Sequence, residues 1–204
     1  MHCCPNREWY TQMTPESTKI PTGAPTINEI KMAIKHLKQN KASGPDNLPA
    51  EFFRTYPNTI ANILEPLLKK VWNSSQIPNE WKQGLIIKLP KKGDLTECRN
   101  WRGITLLNTI GKILAIIIHN RLKEELEPKM RPEQAGFRSN KACADHINTL
   151  RIIVEQSIEF RAPLHLVFID FQQAFDTLAN NAIWQARKGK GVPQKIIAII
   201  KAIY

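Results

Sequence analysis

Apolar positions along the chain repeat with a helical period in several stretches, and polar breaks rich in proline and glycine separate them. Ile27, Ile30, Ile34 and Leu37 share one face, with Lys31, Lys35 and Lys38 mostly off it. Thr26 stands at the N-cap position, and Glu29, three residues on, completes a capping box. This helix is expected to stop near Lys41, where Lys41-Ala42-Ser43-Gly44-Pro45-Asp46 reads as a loop. Gly44 and Pro45 set its turn, and Asp46 can bond nearby backbone amides. A broader apolar face (Ile60, Ile63, Leu64, Leu67, Leu68, Val71, Trp72) predicts a second helix over Thr59 to Trp72. Pro66 inside it should kink or divide that helix. Leu85 to Leu89 has the length and content of a strand, and Pro90-Lys91-Lys92-Gly93-Asp94 reads as a hairpin tip. Thr105 to Leu122 and His146 to Ile158 follow as helices, the latter turning Leu150, Ile153 and Val154 toward the core. The run Leu164, Leu166, Val167, Phe168, Ile169 reads as a buried strand ending in Asp170. Gly191-Val192-Pro193 then turns the chain into a last apolar helix through Ile196, Ile197, Ile199, Ile200 and Ile203.

Residues 1–25 carry scattered prolines and no period, which predicts a flexible N-terminal segment. The 204 residues suit one domain or two small ones. A formal charge of +11 favours a polyanionic partner, either nucleic acid or an acidic membrane surface, over a merely soluble basic protein. No apolar run approaches membrane-spanning length, so no membrane partner is expected. The cysteines Cys3, Cys4, Cys98 and Cys143 show no paired CxxC spacing, which predicts reduced thiols in an intracellular compartment and disfavours zinc.

Charge concentrates from Lys82 to Arg102, six basic residues against two acids. Cations on a hairpin tip can close over a triphosphate, and an arginine can fork two phosphate oxygens; a merely solvated hairpin is the plainer alternative. Further on, Gln134-Ala135-Gly136-Phe137-Arg138 places one aromatic beside one cation, suited to a stacked base and a phosphate. An exposed arginine beside a core phenylalanine explains the same residues. In LHLVFIDFQQAFD, Asp170 offers a hard oxygen ligand at a strand tip, with a small residue, an aromatic and a second acid just beyond (Ala174, Phe175, Asp176).

Four strings, taken in order, carry a resemblance. KASGPDNLPAE, IIKLPKKGDLTECRNWRGITLLN, EQAGFR and FIDFQQAFD resemble successive motifs of reverse transcriptases of the non-LTR retrotransposon type (LINE-type, RTE-like). The resemblance covers about residues 26–204 and implies an α+β fold, part of a right-hand polymerase with helices packed on small antiparallel sheets. It implies fingers over 26–106, the first part of the palm over 107–177 and a helical return toward the fingers over 178–204. Asp170 is then the catalytic carboxylate and a ligand to two magnesium ions (manganese as the alternative), helped by the backbone of Phe171. Lys91 or Lys92, Arg102, Gln173, Ala174 and Phe175 bind the incoming deoxynucleoside triphosphate, with Phe175 against the sugar. Gln134, Gly136, Phe137 and Arg138 line the template.

Two departures stand out. Asn140-Lys141-Ala142 replaces the Gly-Arg-Ser that commonly follows the template element, and Asn180-Asn181 stands where a His-basic pair is common. The later Gln-Gly and aromatic-x-Asp-Asp motifs are absent, so the chain is expected to be an N-terminal portion lacking its remaining carboxylates and inactive alone. The partners implied are an RNA template, a DNA primer and the remainder of the polymerase, inside the cell as a nuclear or cytoplasmic ribonucleoprotein. A non-catalytic relic that keeps only nucleic-acid binding is the main alternative. A group II intron-type maturase and a small helical interaction protein fit the four strings less well.

Overall fold

The computed structural model describes residues 19–171, 174 and 177–204. The capping box forms as expected. Thr26 Oγ1 accepts from the Glu29 amide, while the Glu29 carboxylate accepts from the Thr26 amide at 2.8 Å. It opens α1 (Ile27–His36), whose Ile30 and Ile34 are fully buried. After the Gly44-Pro45 turn come α2 (Ala50–Thr55) and α3 (Pro57–Ser74), then one turn of helix, α4 (Asn79–Lys82). Pro57 sits in the first turn of α3, where its missing N–H costs nothing. Pro66 remains inside one continuous helix, so the sequence-based division does not occur.

A two-stranded antiparallel hairpin follows, β1 (Gly84–Pro90) and β2 (Trp101–Leu107), in register from Gly84 opposite Leu107 to Pro90 opposite Trp101. Thr105 to Leu107 therefore belong to β2, not to a helix. Pairing with β1 claims their backbone groups, and Asn108 caps α5 (Thr109–Leu126) by accepting from the Ile110 and Gly111 amides. The remaining helices are α6 (Cys143–Glu159), α7 (Asn180–Gly189) and α8 (Gln194–Ile203). Among the described residues the class is mixed helix with one small antiparallel sheet.

The core lies between α1, α3, α5 and α8, around Ile30, Leu68, Trp72, Ile113, Leu114, Ile117, Ile196 and Ile199. Two polar knots lock it. In the first, Asp46 reaches 63 positions along the chain to accept from the Thr109 amide at 2.8 Å, while Thr109 Oγ1 donates to the Leu48 carbonyl. The loop lies so close to β2 that a Cβ on Gly44 would stand 2.3 Å from the Leu107 carbonyl oxygen, so only glycine fits there. In the second, buried Arg121 of α5 forms a forked ion pair with Glu29 of α1 and donates to the carbonyls of Pro21, Gly23 and Ala24. Its guanidinium stacks 4.7 Å from the Trp72 ring centroid, and Trp72 Nε1 donates to the Thr22 carbonyl. Together with buried Ile20, these bonds hold residues 20–24 against the core, although the sequence there has no period.

Two apolar stretches depart from the sequence reading. Residues 164–169 form no strand and are exposed throughout, with Val167, Phe168 and Ile169 each about four-fifths accessible. A β-strand is completed by a partner's hydrogen-bonding edge, and among the described residues the only sheet is the β1–β2 hairpin. Helix α6 likewise forms where expected but buries no residue, so Leu150, Ile153 and Val154 do not reach the core. Periodicity sets a helix's apolar face, whereas burial requires a neighbour to receive it.

Candidate nucleotide and nucleic-acid site

The hairpin projects with both faces accessible; every residue of β1 is exposed. An isolated two-stranded ribbon is marginal by itself, and this one is stiffened at its tip. The Lys91 amide donates to the Asn100 carbonyl at 2.7 Å, and Asn100 Nδ2 donates to the Asp94 carbonyl at 2.6 Å. Trp101 Nε1 reaches the Leu95 carbonyl at 3.0 Å, and Gly93 takes a φ of 121°, a conformation L-residues rarely adopt. The Asp94 side chain accepts from the Thr96 amide, which lowers its pKa below the ordinary aspartate value.

The candidate phosphate-binding cations differ in availability. Lys91 donates its ammonium to the Arg99 carbonyl at 3.0 Å, and Arg99 pairs with Glu97. The side chains of Lys92 and Arg102 make no hydrogen bond or ion pair with the described residues and face solvent. In the observed register, residues directly opposite share a face. Arg102 therefore lies beside Leu89, on the side of Ile87 and Ile104. Lys88 and Trp101 occupy the other face, with the Lys88 ammonium 5.6 Å from the Trp101 ring centroid. The sequence reading did not single out this pair. Counting in twos back from the tip would have found it.

The Gln134–Arg138 loop is anchored by its own cation. Arg138 donates to Glu127 at 2.9 Å and to the carbonyls of Arg131 and Glu127, with little of its side chain exposed. Gln134 Nε2 contacts the Gly136 carbonyl at 3.4 Å, and His146 of α6 contacts the Glu133 carbonyl. Next to Arg138, Phe137 is 95 % exposed and sits at a φ of 58°, in the left-handed region that a bulky residue seldom occupies. The fold spends conformational energy to hold this ring outward. Arg138 is thus a clamp within the loop, and Phe137 is the group presented to solvent.

Asp170 follows the exposed apolar run and is itself exposed, as are Phe171 and Ala174. Gln173, Phe175 and Asp176 lie outside the described residues. Asp170 offers a hard oxygen donor suited to a divalent cation. Among the described residues, no three acidic, histidine or cysteine side chains gather as a metal cage would require. The donor is right in kind and incomplete in number. Cys98 and Cys143 are exposed thiols. No helix among the described residues is long and apolar enough to cross a membrane.

Residues 89–204, more than half of the chain, match the family described as reverse transcriptase (RNA-dependent DNA polymerase). This chain belongs to the reverse transcriptase family. The matched segment contains β2, the Phe137 loop and Asp170. Among curated proteins, it is similar to the RNA-directed DNA polymerase from mobile element jockey of Drosophila melanogaster, 27 % identical across 96 % of this chain and 22 % of that protein. It is similar to the retrovirus-related Pol polyprotein from type-1 retrotransposable element R1 of Bradysia coprophila, 30 % identical across 74 % of this chain and 15 % of that protein. The transposon TX1 uncharacterized 149 kDa protein of Xenopus laevis is 26 % identical across 88 % of this chain and 14 % of its own length. These relatives agree with the non-LTR retrotransposon resemblance. The reverse transcriptase chain spans less than a quarter of each.

Proposed function

We propose that these residues form the fingers and first part of the palm of a retrotransposon RNA-directed DNA polymerase, with fingers over 26–106, palm over 107–177 and a helical return over 178–204. The observation that carries the reading is the stiffened hairpin leading into the family-matched segment, which presents Arg102 and Lys92 as unpaired cations. Arg102 can fork two phosphate oxygens of an incoming deoxynucleoside triphosphate, and Lys92 adds a point charge. Lys91, tied to the Arg99 carbonyl, shapes the tip and adds to its field. Phe137 offers a stacking face to a template base, while Gln134, Gly136 and the Arg138 clamp hold the loop that carries it. Asp170, with the Phe171 backbone, is the first carboxylate of a magnesium or manganese site, and Gln173, Ala174 and Phe175 seat the nucleotide. Bound there, the divalent ions would lower the pKa of the primer's terminal hydroxyl and neutralise the triphosphate. Such a site needs more carboxylates than Asp170 supplies. We therefore assign polymerisation to a polymerase-length protein, within an intracellular ribonucleoprotein, and RNA binding to these residues themselves.

The test is primer extension on an RNA template by a polymerase-length protein containing this chain, with magnesium supplied. Arg102→Ala is expected to raise the deoxynucleotide KM about 10- to 100-fold, the value of one lost charge-assisted bond. An unchanged KM would return the hairpin to a merely solvated role. Phe137→Ala should weaken binding of single-stranded RNA by about 1–3 kcal/mol, the loss of one base stack. Fluorescence anisotropy reads this directly, and an equal affinity would remove Phe137 from the template path.

A further inference from the structure

A cavity of about 530 Å³ opens between the end of α1, the Lys41–Ser43 loop and the first turns of α5, at the base of the hairpin. Its floor is apolar, from Leu37, Leu107 and Ile116, and its titratable side chains are all basic: Lys38, Lys41, Lys112, His36 and His119. Among the described residues, no acidic one lines it. The side chains of the three lysines and of His119 make no hydrogen bond or ion pair with the described residues. His36 turns Nδ1 to the Met32 carbonyl at 2.7 Å, leaving Nε2 unused. A site of this size with an apolar floor suits one small organic ligand, and three lysines among its lining residues, with no acidic one, suit an anion.

The hairpin register connects this cavity to a second feature. Leu107, which lines the cavity, shares its β2 face with Trp101, whereas Arg102 lies on the opposite face. Six strand steps, about 20 Å, separate Trp101 from Leu107. The face carrying the Lys88–Trp101 pair thus leads to the cavity, away from the face assigned to the triphosphate. We propose that the cavity binds a segment of single-stranded nucleic acid, its phosphate among Lys38, Lys41 and Lys112 and its nucleoside against Leu37, Leu107 and Ile116. Trp101 stacks the preceding part of the strand. This rests on the reverse transcriptase reading and assigns it a strand path: the two faces of one hairpin keep the nucleotide and the strand apart.

The test uses the 204-residue chain and a short oligouridylate carrying 4-thiouridine, cross-linked by light and mapped by mass spectrometry. Cross-links are expected within 36–43 and 107–119 and at Trp101. Lys38→Gln, Lys41→Gln and Lys112→Gln combined should weaken binding at least tenfold. They should also reduce the slope of log K against log salt by about 0.7, the one phosphate held in the cavity. Circular dichroism matching the parent chain would show that the fold survives. If the combined variant binds like the parent, with cross-links confined to 134–138 and the Arg102 face, the cavity site is wrong and the reverse transcriptase reading stands. If inorganic phosphate or a deoxynucleoside triphosphate clears the cavity cross-links as readily as unlabelled RNA does, the site takes small phosphates and the strand path is overturned. If the parent chain shows no salt-dependent RNA binding while the polymerase-length protein still extends a primer, the cavity proposal falls alone. If both fail, the reading beneath it falls too.

Discussion

Arg121→Ala is expected to destabilise the chain by about 2–3 kcal/mol, the cost of removing a buried arginine whose charge-assisted bonds reach the half-buried Glu29. The loss is large because Arg121 satisfies several groups at once. Without it, Glu29 loses its forked partner, the carbonyls of Pro21, Gly23 and Ala24 lose their donor, and Trp72 loses the guanidinium over its ring. Natural domains hold only about 5–15 kcal/mol in reserve, so much of the folded population at elevated temperature would be lost. Arg121→Lys should not rescue it, since an ammonium cannot span Glu29 and three carbonyls as a planar fork does. Urea unfolding followed by circular dichroism measures this, and a midpoint within error of the parent would show the knot to be dispensable. The pair also sets an acid dependence. Burial raises the Glu29 carboxyl's pKa, but hydrogen bonds from Arg121 and Thr26 and the Arg121 charge outweigh it and leave it below the ordinary glutamate value. The unfolded chain therefore takes up this proton first as pH falls. Stability from the pair should be full at neutral pH, decline below about pH 4.5 and be gone below the folded pKa. In Glu29→Gln that acid-dependent decline should be reduced.

Asp170→Asn, in a polymerase-length protein, is expected to abolish metal-dependent primer extension while leaving RNA affinity unchanged. The amide keeps the shape of the side chain but removes the anionic oxygen that a hard divalent cation requires. Asp170 is exposed and makes no hydrogen bond or ion pair with the described residues, so folding should not suffer. Retained extension would remove Asp170 from the metal site. Loss of RNA binding together with activity would show that the change had disturbed the fold instead.

What could be read from sequence was local. Thr26 with Glu29, the Gly44-Pro45 turn, the Lys91–Asp94 tip and the apolar faces of α1, α5 and α8 are set by groups within a few residues of one another, and each appears in the fold, while the broad face of α3 buries Leu64, Leu68, Val71 and Trp72 but leaves Ile63 and Leu67 exposed. The family motifs were equally legible, because their residues are contiguous. The tertiary structure decided the rest. Glu29 was visible as a capping residue, but its partner Arg121 lies 92 positions away, and nothing in the local pattern links the two. Asp46 looked like a turn residue bonding its neighbours, yet its shortest bond crosses 63 positions to the start of α5. Arg138 and Phe137 are adjacent in sequence, but the fold turns one inward as a clamp and the other outward at positive φ. The clearest divergence is at 164–169, where composition called for a buried strand and the residues lie exposed and unpaired. Hydrophobic content is a property of the chain, whereas a strand also needs a partner's hydrogen-bonding edge and a surface to cover it, which only the assembled fold can supply.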